Sequence, residues 1–108
     1  MPGKRVTWLD TGGDAQVVPR GTRCAAYSFR LEGASDAIPT AGQQPEAQWK
    51  TGGSSGTILE QLLCGDGNTI IDDLGGCGNW IEFPDGVYVE MAGNAILASI
   101  LIVENEDP

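Results

Sequence analysis

Alternating short segments, glycine-rich turns and a terminal run apolar on both faces predict an all-β chain. The expected form is an antiparallel β-sandwich or jelly-roll-like fold of seven to eight short strands. The alternation is clearest late in the chain. In Asn79-Trp80-Ile81-Glu82-Phe83, Ile81 and Phe83 share one face, and Trp80 and Glu82 the other. In Val87-Tyr88-Val89-Glu90-Met91, the three apolar residues Val87, Val89 and Met91 oppose Tyr88 and Glu90. A period of two marks half-buried strands. Pro84-Asp85-Gly86 between them predicts a hairpin turn, since glycine accepts the positive φ of a tight Asp-Gly turn. The terminal run, Ala95-Ile96-Leu97-Ala98-Ser99-Ile100-Leu101-Ile102-Val103, is apolar whichever face is chosen. A strand in a small β-domain needs one buried face, so the second asks for another sheet, a loop or another subunit.

The earlier elements follow the same logic. Residues 4–10 alternate, with Val6 and Trp8 on one face, and end at the turn Thr11-Gly12-Gly13-Asp14. Gln16-Val17-Val18 is a short strand closed by Pro19 and the turn Pro19-Arg20-Gly21-Thr22. Residues 24–32 alternate again, with Tyr27, Phe29 and Leu31 on one face. Residues 33–56 break the rhythm with Pro39, Pro45 and Gly52-Gly53-Ser54-Ser55-Gly56, and predict a long loop. Ile38 and Trp49 punctuate it. Trp49 either packs a short strand, 47–50, on the core edge or anchors the loop on a neighbour. Residues 57–64 fit a helical face through Ile58, Leu59, Leu62 and Leu63, but their shortness between Gly56 and Gly65 favours a strand. Gly65-Asp66-Gly67-Asn68 turns the chain into a returning strand at 69–73, and adjacent strands are expected to pair as hairpins.

The chain has 108 residues, the size of one domain. With 15 acidic against 6 basic residues it carries a net charge of −9, which opposes binding to a nucleic-acid backbone. Residues 1–10 lack an apolar run long enough for a signal peptide, and 95–103 is about half of the ~20 residues a spanning helix needs. Synthesis in a cytoplasm is expected, with neither membrane nor nucleic acid as partner. Cys24, Cys64 and Cys77 have no metal-site spacing, and the chain has no histidine. Buried thiols are expected, with a Cys64–Cys77 bridge as the alternative.

From residue 56 onward the pattern is one seen elsewhere: Thr57-Ile58-Leu59-Glu60-Gln61, a Gly65-Asp66-Gly67-Asn68 turn, a return strand and a glycine-rich linker. The segment from Ile81 through Pro84-Asp85-Gly86 to Tyr88-Val89, the Gly93-Asn94 turn and the apolar terminal strand complete it. This resembles the small β-sandwich virion proteins of tailed bacteriophages, capsid decoration (cement) proteins among them. The resemblance covers roughly half the chain. It implies a structural protein without catalytic residues, binding the outer capsid surface as a homotrimer and clamping the major capsid protein. An acidic surface suits that outer face, and a two-faced apolar strand can supply a subunit interface. Candidate interface residues are Val6, Trp8, Ile38, Trp49, Ile96, Ile100 and Ile102. Ile100→Asp is expected to break either the core or the oligomer.

Enzymatic chemistry finds little footing. Asp66-Gly67-Asn68 and Asp72-Asp73 invite calcium, but the EF-hand ligand pattern is absent, and no metal or cofactor is expected. Glycine runs at Gly52 and Gly75 lack the Lys-Ser/Thr of a phosphate loop. Glu82 and Glu90, with Trp80 and Tyr88, could form a paired-carboxylate or sugar-binding platform on one face of the hairpin. That platform defines the alternative function, a carbohydrate- or receptor-binding β-sandwich of a phage tail or fibre.

Overall fold

The computed structural model describes residues 3–33, 44–63, 69–74 and 79–106. Nine strands run through them, with no helix among the described residues: β1 (Gly3–Thr11), β2 (Ala15–Val18), β3 (Cys24–Gly33), β4 (Glu46–Thr51), β5 (Thr57–Leu63), β6 (Thr69–Asp73), β7 (Ile81–Phe83), β8 (Val87–Ala92) and β9 (Ala95–Glu106). They form two antiparallel sheets packed as a sandwich. The first has the order β1-β9-β3-β6, with β7 also on β3; the second has the order β2-β8-β4-β5.

The pairing is that of a long hairpin wrapped on itself. The β4–β5 pair is its tip. Its arms are β3 with β6 and β7, then β2 with β8, then β1 with β9. Wrapping adds the β9–β3 and β8–β4 contacts. Two interlocked four-strand layers of this kind are a jelly roll. β6 covers Ser28 to Glu32 of β3 and β7 covers Cys24 to Ala26, so the two segments share one strand position. Nine strands are thus found where seven to eight were expected, filling eight positions of the two layers.

The expected hairpins are mostly absent. Only β4 and β5 pair as sequence neighbours; β7 and β8 lie in different sheets. The Pro84-Asp85-Gly86 turn is therefore a corner between layers. Gly86 takes φ 74°, and its N–H donates to the Thr22 carbonyl at 2.7 Å. A Cβ there would collide with the Pro19 carbonyl oxygen, so glycine is required twice over. An Asp-Gly turn satisfies a corner as readily as a hairpin, because local chemistry fixes the bend and not the partner.

The segment 33–56 is not one long loop. Its second half holds β4, an inner strand of the second sheet, while Ile38 lies outside the described residues. The short-strand reading of 47–50 is the one found, as Glu46–Thr51, but β4 is an inner strand and not a core edge; its inward face is only Ala47 and Trp49, which gives the sequence little amphipathic contrast. The strand expected for 57–64 is β5, ending at Leu63; Cys64 and Cys77 lie outside the described residues.

The core fills the gap between the sheets. Phe29 and Trp49 meet edge to face with centroids 5.1 Å apart, and Phe83 sits 6.3 Å from Phe29. Around them pack Val18, Leu31, Val87, Val89, Ile100 and Ile102, all buried, with Cys24 at the same interior. Ile100→Asp would place a charge among these residues, so the core is what it would break. Phe29→Ala removes a ring shared by both sheets. It is expected to cost about 3–5 kcal/mol, read as a lower urea midpoint monitored by Trp49 fluorescence. A midpoint unchanged from the parent would remove Phe29 from that role.

Candidate functional site

Register decides which predicted residues are available to a partner. Ile100 and Ile102 point inward, and Trp49 is fully buried; the structure gives all three to the core, where they have no surface to offer. The terminal run is apolar on both faces, so periodicity could not choose between them. The outward set is Leu97, Ser99, Leu101 and Val103, fixed by the pairs Trp8–Leu101 and Asp10–Ser99 with β1. Ile96 has the inward parity but lies at the open end of the sandwich, 50% exposed. Val6 faces Val103 across the ladder, and its side chain is not described.

The outer face of the first sheet is consequently apolar along β1 and β9. Trp8 is 40% exposed, beside half-buried Leu101 and Leu97. The Arg30 guanidinium lies over the Trp8 ring, 4.9 Å from its centroid, a cation–π contact. Ser99, register partner of both Asp10 and Arg30, is buried although it points outward, so its larger neighbours cover it. Ile71, opposite Arg30 on β6, extends the apolar surface at 54% exposure.

The predicted sugar platform is divided. Trp80 and Glu82 belong to the first sheet, while Tyr88 and Glu90 lie on the outer face of the second. Glu90 is engaged by Lys50, whose Nζ donates to its Oε1 at 2.7 Å and to the Ser54 carbonyl at 2.9 Å. Trp80 and Glu82 instead join residues that sequence reading did not associate with them. A bulge at Tyr27, between the Ala26–Ile102 and Ser28–Leu101 pairs, turns its side chain out of the Phe29 and Leu31 face. Tyr27 meets Trp80 with centroids 6.0 Å apart at 68°. Arg23 Nε donates to Glu82 Oε1 at 2.7 Å. Together with Ala25 and Val103 they bound a cleft of about 210 Å³.

Two further constellations shape the ends and margin of the sandwich. The Asp85 carboxylate accepts from the Gly21 N–H at 2.7 Å and from Arg20, holding its pKa below the usual value. Its backbone N–H donates to Thr51 Oγ1 and its carbonyl accepts from the Gly52 N–H, so three corners meet at one residue. At the margin, Glu60 is the register partner of Trp49 and Asp72 that of Phe29. Both carboxyl groups therefore turn toward the interior from the last strands of their sheets. Burial, then the hydrogen bond to Asp72, raises the Glu60 pKa to about 7. No group of three or more acidic, cysteine or histidine side chains among the described residues could hold a metal.

No family model matches the chain, and no curated protein matches it. Among solved structures, one described as "Bacillus endospore appendages form a novel family of disulfide-linked pili" is similar at 13% identity and a TM-score of 0.46. That match spans 98% of this chain and 88% of the other. The likeness is weak and says nothing of function.

The Glu60 proton gives a pH signature. Between pH 4.5 and about 7 the folded chain holds a proton that the unfolded chain has released. The contribution of this group to stability is therefore full below that window, falls as pH rises through it and is flat above it. Urea midpoints measured across the window should decline for the parent chain, and Glu60→Gln should flatten the decline. An identical slope in both would assign it to other groups.

Proposed function

We propose that this chain is a non-enzymatic structural protein of a tailed-phage particle, a decoration protein that binds the outer capsid lattice and stabilises it. The observation that carries the reading is the second apolar face of β9, which the fold leaves on the outside of the first sheet. A chain that keeps Trp8, Leu97 and Leu101 along one solvent-facing strand pair has an apolar surface suited to burial against a copy of itself. A homotrimer is the assembly proposed. The net charge of −9 suits an external site, away from packaged DNA. Jelly rolls serve viral capsids and lectins alike, so the fold supports the reading by analogy only.

Light scattering on the purified protein tests it, followed by cosedimentation with undecorated capsids. The parent chain is expected to form a trimer. Leu101→Asp, at a half-buried outward position, should yield monomers with the near-ultraviolet signal of the Phe29–Trp49 core intact. A parent chain that stays monomeric at every concentration, or a variant that assembles like the parent, would contradict the proposal.

A further inference from the structure

We infer that the cleft between Trp80 and the Arg23–Glu82 ion pair binds a single neutral pyranose ring. The inference goes beyond the structural role and does not depend on it. Its first ground is Trp80 itself. The other two tryptophans are accounted for, Trp49 in the core and Trp8 beneath Arg30. Trp80 touches Tyr27 in an edge-to-face pair and still keeps 55% of its surface exposed. The C–H groups on one face of a pyranose carry partial positive charge and favour the negative face of an aromatic ring.

The opposite wall supplies the polar half. The ion pair joins Arg23 Nε to Glu82 Oε1, and both side chains are substantially exposed. That contact uses one of the five guanidinium N–H groups and one of the two carboxylate oxygens, leaving donors and an acceptor side by side. Sugar hydroxyls both donate and accept, so adjacent ring hydroxyls can bridge the two groups. An anion would meet Glu82 and a cation would meet Arg23, so a neutral polyhydroxylated ring fits better than either. The floor is Ala25 and Val103, small enough to let a ring settle between the walls. At about 210 Å³ the cleft is smaller than a drug-sized site and suits one ring rather than a chain.

The placement is built by the backbone. The bulge at Tyr27 aims the tyrosine outward, and Trp80, next to Asn79 whose N–H donates to the Leu74 carbonyl at 3.0 Å, stands beside it. The cleft lies over the β3–β7 half of the outer face and reaches β9 at Val103, whereas Trp8 and Leu101 lie outside its lining, on the β1–β9 half.

Saturation-transfer NMR with the methyl pyranosides of glucose, galactose, mannose and N-acetylglucosamine tests the inference. A ring of about a dozen heavy atoms on an open site implies millimolar affinity. At least one glycoside should receive saturation, strongest at its ring C–H protons. Trp80→Ala should weaken binding roughly tenfold or more, Trp80→Phe should restore part of it, and Trp8→Ala should leave it unchanged. The same probes applied to the Leu101→Asp chain separate the two proposals, because assembly cannot cover the cleft there. Saturation of none of the glycosides by either chain, or equal saturation by the Trp80→Ala chain, would overturn the inference.

Discussion

The contact between Phe29 and Trp49 is the point on which the rest of the structure hangs. One ring comes from an inner strand of each sheet, and their edge-to-face meeting sets the two layers together. Only three large aromatic or branched residues of β3 and β4, Phe29, Leu31 and Trp49, reach the interior, so each matters more than in a larger domain. The pairing around that contact is almost wholly nonlocal. β9, the last of the described strands, lies between β1 and β3, and the first sheet is not complete until it arrives. Ordering so much chain before the contacts form predisposes the fold to slow assembly. The Asp85 corner offsets part of that cost by tying three turns together at one end.

The presence of the strands was legible because a period of two survives in a sequence this short. Their pairing was not. The Asp-Gly signal at 85–86 specifies a bend with positive φ, and a jelly-roll corner uses the same bend as a hairpin. Residues 47–50 left a strand and a loop anchor both open, because a strand with one inward tryptophan and one inward alanine shows little amphipathic contrast within a glycine- and proline-rich stretch. The Tyr27 bulge reversed a face assignment that strict alternation had made, since one extra residue changes parity.

The same reasoning explains what was found and missed at the surface. The sequence showed that β9 has two apolar faces but could not rank them; Ile100 and Ile102, chosen as contacts, are taken by the core, while Ile96 stays exposed. Leu97 and Leu101 are distinguished only by the register with β1. Tyr27, Arg23, Trp80 and Glu82 come from two regions more than fifty residues apart, joined by the β3–β7 ladder alone. Glu60 and Asp72 are only 12 residues apart, but they meet across the gap between sheets, which local pattern does not show. The surfaces proposed to carry function lie on the outer faces, where local sequence has the least to say.

The central claim is that the outer β1–β9 surface is covered when the protein is assembled. Hydroxyl-radical labelling across a concentration series, read by peptide mass spectrometry, tests it most directly. The account predicts that Trp8 and Leu101 become protected as concentration rises, while Ile58, exposed on the second sheet, keeps its reactivity. Trp8 and Leu101 labelled equally at every concentration, or protection that falls on Ile58 instead, would contradict it.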